Sequence, residues 1–128
     1  MPSSKPITIM IVEDNKLNML AMKLRLEQIA LFHLIGEACD GQQAVARSAE
    51  LCPDVILMDV GLPVLNGIEA CRQIKGRNPT SRIVMLTFND EPRTLEACLA
   101  AGADSYCSKD IDNDALVKAI QEAAALPD

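Results

Sequence analysis

Four apolar residues, Val55-Ile56-Leu57-Met58, stand between Asp54 and Asp59, and Val60-Gly61-Leu62-Pro63 follows at once. A short apolar run with no polar alternation predicts a parallel strand covered on both faces. Gly61 and Pro63 stop such a strand, one by backbone permissiveness and the other by its missing N–H. Asp59 is therefore expected at the carboxyl end of a core strand. That edge is where open α/β sheets hold their ligands.

The rest of the chain repeats the pattern of strand then helix. Ile7-Thr8-Ile9-Met10-Ile11-Val12 is a β-rich run that ends in Glu13-Asp14. Lys16 to Ala30 reads as a helix, with Leu17, Leu20 and Leu24 as its inward stripe, widened by Met19, Met22, Leu26 and Ile29. His33 to Cys39 reads as a strand stopped by Asp40-Gly41, and Gln42 to Leu51 as an Ala-rich helix ended by Cys52-Pro53. After the central strand, Asn66 suits a cap, with Glu69 completing a capping-box-like start. Ile68, Cys71 and Ile74 then face inward, and Asn78-Pro79-Thr80 ends that helix. Arg82 to Thr87 is the fourth strand. Asp90 suits the cap of a helix running to Ala101, with Pro92 in its first turn and Gly102 past its end. Asp104 to Ser108 is a short fifth strand. Asp112 or Asn113 starts the last helix, with Leu116, Val117, Ile120 and Ala124 inward.

Five such alternations predict βα units with right-handed crossovers around one parallel sheet. The expected fold is a single α/β domain over residues 1–128: a doubly wound five-stranded sheet with helices on both faces. Alternation alone does not set the strand order; 2-1-3-4-5 is the expectation, with strands one and three adjacent at a ligand crevice.

Composition excludes several other classes. The chain has 128 residues, enough for one core, and 49% are hydrophobic, too many for disorder. No apolar run approaches the roughly 18 residues of a membrane span. Residues 1–6 lack the apolar stretch of a secretory signal, so the expected location is the cytoplasm. The net charge is −6 with no Lys/Arg cluster, a poor basis for binding nucleic acid directly. The five cysteines are widely spaced with no CxxC, and His33 is the single histidine. That argues for small reduced core residues and against zinc.

If strands one and three are neighbours, Glu13, Asp14 and Asp59 converge. Three carboxylates in a small space repel, so at least one pKa should rise in the absence of a cation. Such oxygen donors suit Mg2+, with a main-chain carbonyl near Gly61 as a further ligand. Thr87 brings a hydroxyl and Lys109 an ammonium to the same edge. A free carboxylate among a metal site, a hydroxyl and a lysine describes a phosphoryl site. Asp59 would attack phosphorus and become an acyl phosphate, while Lys109 and Thr87 hold the anion. Singly, each residue has a plainer role. Glu13 and Asp14 suit a helix start, Asp59 a turn, Thr87 or Tyr106 a strand, and Lys109 solvated surface. The joint pattern at successive strand ends is what favours the site.

Taken together, these segments resemble the receiver domain of bacterial response regulators, the phosphorylation module of two-component signalling. The resemblance covers about residues 7–125. It is carried by Ile11-Val12-Glu13-Asp14-Asn15, Asp54 to Asp59, Leu62-Pro63 with Asn66-Gly67, Ile83 to Thr87, Ala101-Gly102-Ala103, and Tyr106 with Lys109. It implies a flavodoxin-like 2-1-3-4-5 sheet. Asp59 corresponds to the phosphoacceptor, and Glu13, Asp14, Asp59 and the Gly61 carbonyl to the Mg2+ ligands. Thr87 and Lys109 correspond to the switch hydroxyl and the phosphate-pairing lysine, and Tyr106 to the aromatic that reports activation. The implied phosphodonor is a sensor histidine kinase or phosphotransfer protein, and the receiver catalyses its own phosphorylation and dephosphorylation. The resemblance thus implies a signalling phosphoacceptor rather than a conventional enzyme.

Two positions depart from the family pattern. Asp110 follows Lys109 where many members carry proline, often after a cis bond; before a non-proline residue that bond costs about 2.5–4 kcal/mol. Lys109-Asp110, with Ala101-Gly102-Ala103 upstream, resembles the subfamily with a LuxR/NarL-type helix-turn-helix output. Phe88 follows Thr87 where members usually carry a small residue, and it is expected to narrow access to the phosphoryl group. The implied mechanism is a two-state switch of the face made by the fourth helix, fifth strand and fifth helix. Phosphorylation would promote homodimerisation or partner release, and transcription would be regulated through an output domain not contained in this chain.

Three rival readings compete with this one. A pseudo-receiver keeps the fold as an interaction module without the chemistry. An Asp-nucleophile phosphatase needs a second Asp two residues on, where this chain has Gly61. A flavin carrier needs a Ser/Thr/Gly-rich phosphate loop where this chain has Glu13-Asp14-Asn15-Lys16. Neither GxGxxG nor GxxxxGK[ST] occurs. A free-standing receiver and the front of a longer regulator both remain open.

Overall fold

The computed structural model describes residues 5–88 and 91–126. The elements are β1 (Ile7–Val12), α1 (Lys16–Glu27), β2 (Phe32–Ala38), α2 (Gly41–Leu51), β3 (Val55–Asp59), α3 (Gly67–Arg77), β4 (Arg82–Thr87), α4 (Pro92–Ala100), β5 (Ser105–Ser108) and α5 (Asn113–Ala124). The five strands form one sheet in the order β2-β1-β3-β4-β5, and every neighbouring pair is parallel. The expected fold class and strand order are both observed.

Because side chains alternate along a strand, the sheet feeds two cores. Met10, Val12, Ile56, Met58, Ile83 and Met85 pack with α2, α3 and α4. Ile9, Ile11, Val55, Leu57, Val84 and Leu86 pack with α1 and α5 on the opposite face. Every residue of β3 is buried, as its unbroken apolar run requires. Among the described residues, no helix is long and apolar enough to cross a membrane.

Helix caps follow the sequence closely. Asn66 Oδ1 accepts from the Glu69 N–H at 2.9 Å, and Asp112 Oδ1 from the Ala115 N–H at 2.8 Å. Glu69 itself pairs with Arg72 rather than completing a capping box. Pro92 opens α4, and Gly102 lies past its end at φ +104°, where an L side chain is strained. Asp90, the expected cap of α4, lies outside the described residues. Gly67 serves close approach: a Cβ there would lie 2.1 Å from the Asp59 carbonyl oxygen. The start of α3 can therefore rest on the end of β3.

The largest correction concerns α1. Its buried residues are Met19, Met22 and Leu26, whereas Leu17, Leu20 and Leu24 are 77%, 51% and 52% exposed. Both sets repeat at i, i+3, i+7, and the sheet selected the other one. The helix also ends at Glu27, three residues short of Ala30. Ile29 N–H bonds the Leu26 carbonyl and Phe32 N–H bonds the Ile29 carbonyl, turning the chain into β2. That strand accordingly runs one residue ahead of expectation, from Phe32 to Ala38. β5 starts at Ser105, one residue later than expected, and the Asp104 carboxylate before it accepts from Lys75 Nζ at 2.9 Å and the Ile83 N–H at 2.8 Å.

Candidate functional site: an acidic cluster with a lysine at the sheet edge

The site lies at the carboxyl ends of β1, β3, β4 and β5. Glu13 continues β1, its N–H bonded to the Ala38 carbonyl at 3.0 Å. Asn15 caps α1, its Oδ1 accepting from the Asn18 N–H at 2.9 Å, and its own N–H donates to Glu13 Oε2 at 3.1 Å. The helix start thus falls to Asn15, so Glu13 and Asp14 are not its cap. Asp59 ends β3, and its Oδ1 accepts the Gly61 N–H at 3.1 Å. Thr87 ends β4 and is buried, and its carbonyl accepts the Lys109 N–H at 3.0 Å. That bond fixes the backbone of Lys109 just beyond β5.

Glu13, Asp14 and Asp59 each place a carboxylate oxygen within 4.8 Å of the others. Glu13 and Asp59 are buried; Asp14 is exposed. Lys109 reaches in from beyond β5, its Nζ 3.0 Å from Glu13 Oε1 and 2.9 Å from Asp59 Oδ2. Burial pushes the Glu13 carboxyl above its ordinary value, and the Asp59 charge adds to that. The Asn15 N–H and Lys109 act in the opposite sense without cancelling it. Burial works to lower the Lys109 ammonium, but its hydrogen bonds and charge pairing with Asp59 and Glu13 prevail and hold it above its ordinary value. The carboxyl expected to rise is therefore Glu13, with desolvation ahead of repulsion as the cause.

The donor set is carboxylate oxygen, the chemistry that hard divalent cations take, and it fits Mg2+. An open groove of about 680 Å3 borders the cluster, with Asp14, Lys16, Lys23, Glu37, Cys39 and Pro63 on its walls. Tyr106 stands apart from the carboxylates, 42% exposed on β5. With Thr87, Leu95 and Ile111 it lines a separate cavity of about 370 Å3. No described peptide bond is cis, so Lys109–Asp110 is trans; the Asp110 carboxylate instead takes the Ser108 hydroxyl. All five cysteines are free thiols.

Two further residues support the site. Asn15 orients Glu13, a role its position before a helix could have signalled. Arg25 on α1 donates to Asn113 Oδ1 and to the Ile111 carbonyl, both at 2.6 Å. It ties α1 to the loop after Lys109, and nothing local in the sequence marks a partner so distant.

The family model described as "Response regulator receiver domain" matches residues 9–121. The nitrate/nitrite response regulator protein NarL of Escherichia coli K12 is 30% identical over 125 residues, 98% of this chain and 58% of that protein. The chain therefore spans little more than half the length of that relative. A LuxR-family two-component response regulator from Aurantimonas superposes with a TM-score of 0.89 at 30% identity, over 94% of this chain and 86% of that one. The receiver domain of a sensor histidine kinase from Pseudomonas aeruginosa, which has a magnesium ion coordinated in its active-site cleft, gives a TM-score of 0.85 at 32% identity over 94% and 99%. With its sheet order, its acidic edge and these relatives of NarL/LuxR type, the chain belongs to the response regulator receiver domain family of two-component systems.

Proposed function

We propose that this receiver accepts a phosphoryl group on Asp59 from a histidine of a sensor kinase or phosphotransfer protein, with Mg2+ bound. The observation that carries the reading is the Lys109 ammonium within 3.0 Å of both Glu13 and Asp59, inside the three-carboxylate cluster. Glu13, Asp14, Asp59 and the Gly61 carbonyl would hold the ion. Once bound, it supplies positive charge against the phosphoryl oxygens.

The remaining work falls to the chain. An Asp59 carboxylate oxygen forms a bond to phosphorus as the P–N bond to the donor imidazole breaks, and the imidazole leaves with the electron pair. Lys109 pairs with the transferred anion, and the Thr87 hydroxyl donates to one of its oxygens. Asn15 keeps Glu13 oriented. Hydrolysis returns Asp59 when water takes the phosphoryl group as inorganic phosphate.

Switching then follows from Thr87 and Tyr106. Thr87 is buried, Tyr106 is partly exposed, and they share one cavity with Leu95 and Ile111. Movement of Thr87 toward the phosphoryl group leaves room for the tyrosine ring, which changes the α4-β5-α5 face. That face would dimerise or release a partner in the cytoplasm, and DNA would be reached only through an output domain. The phosphoryl group biases the switch only by interacting differently with the two states.

Incubation with Mg2+ and acetyl phosphate, read by intact mass, tests the reading. One phosphoryl group is expected on the wild type and none on Asp59→Asn. No addition to the wild type, even from a cognate kinase, would leave a phosphorylation-independent interaction module.

A further inference from the structure

We propose that Phe88 is a positioning residue for phosphoryl transfer, holding the Lys109 ammonium over its ring face. The proposal rests on the phosphoacceptor reading of Asp59. Phe88 directly follows Thr87 and is 72% exposed, so its ring projects from the rim of the site and does not fill it. Its ring centroid lies 5.3 Å from Lys109 Nζ, within range of a cation–π contact. The ring also lines two hollows. With Ile11, Met22, Arg25 and Lys109 it lines a cavity of about 90 Å3 on the α1 side. With Thr87, Tyr106 and Leu95 it lines the cavity of about 370 Å3 on the other.

These partners of Lys109 differ in what they can keep doing. Glu13 and Asp59 hold the ammonium through carboxylate oxygens, and those same oxygens are the ones a metal ion or a phosphoryl group would engage. A π face offers no lone pair to either, so Phe88 keeps its hold when the carboxylates are drawn elsewhere. Lys109 then remains placed to meet the phosphoryl oxygens. The effect is electronic, and side-chain bulk alone does not reproduce it.

Phe88→Leu, Phe88→Ala and Phe88→Trp in the full chain separate these cases. Phosphorylation by acetyl phosphate with Mg2+ forms the Asp59 O–P bond as the P–O bond to acetate breaks, and acetate leaves with the electron pair. The expected maximal rate falls about three- to tenfold in both the leucine and alanine variants, the donor concentration at half-saturation stays unchanged, and tryptophan keeps the wild-type rate or exceeds it. A second readout needs no turnover. In the metal-free wild type the ring is expected to shield the Lys109 ε-methylene protons, giving an upfield NMR shift that Phe88→Leu abolishes. Wild-type rates in the leucine variant with a faster alanine variant, or an unchanged Lys109 shift, would overturn the proposal and leave Asp59 phosphorylation standing. No phosphoryl addition to any of the proteins would overturn both.

Discussion

Lys109 Nζ stands 2.9 Å from Asp59 Oδ2, although their strands are not neighbours: β4 lies between β3 and β5. The lysine reaches across the end of β4, where its own N–H is anchored to the Thr87 carbonyl. One residue therefore ties the two acidic strand ends, through its ammonium, to the strand end that carries the hydroxyl, through its backbone N–H.

Removing that cation leaves two buried carboxylates facing each other. Lys109→Met should destabilise the metal-free protein by about 3 kcal/mol, the usual cost of breaking a buried pair from one side. Added Mg2+ should narrow the gap, since an ion bound only by the folded state stabilises by mass action. Urea unfolding with chelator and with Mg2+ measures both effects.

Glu13 gives a pH signature. Burial holds its carboxyl above the ordinary value of 4.5, so between 4.5 and the raised pKa the folded state carries more protons than the unfolded one. Stability must then fall as pH rises through that window and stay lower above it. Glu13→Gln removes this term. In chelator, the variant and wild type should be alike near pH 4, and the variant should gain relative to the wild type toward pH 7. Denaturant midpoints across that range check the sign.

The two stripes of α1 predict opposite outcomes. Leu26 is fully buried, so Leu26→Ala should cost about 2–5 kcal/mol. Leu20→Gln, on the exposed stripe, should change stability by no more than about 0.5 kcal/mol. Thermal or urea unfolding of the two variants decides which stripe faces the sheet.

Thiol accessibility divides the cysteines. Cys39 and Cys52 are exposed, whereas Cys71, Cys98 and Cys107 are buried. Burial pushes all three buried thiols up, Cys71 to about 12, and suppresses the reactive thiolate. Alkylation of the native protein at pH 8 should modify Cys39 and Cys52 alone, and denaturant should expose the rest, as peptide mass mapping will show.

Much of the fold was legible because its signals are local. Unbroken apolar runs marked the strands, Asn66 and Asp112 marked helix starts, and Gly102 marked a helix end. The acidic edge followed once strands one and three were placed side by side. The buried face of α1 was not legible: leucines and methionines both repeat with helical period, and only the sheet decides between them. Arg25 with Asn113, and Phe88 with Lys109, join residues far apart or on different loops, and no periodicity encodes such contacts.

The identity of the phosphorylated side chain is the central claim, and borohydride trapping reads it directly. Reduction of an aspartyl phosphate converts that residue to homoserine, which peptide mass spectrometry locates. After treatment with acetyl phosphate and Mg2+, homoserine is expected at position 59. Reduction at Asp14 or Asp54 instead, or at no aspartate in a protein that has gained a phosphoryl group, would contradict the account.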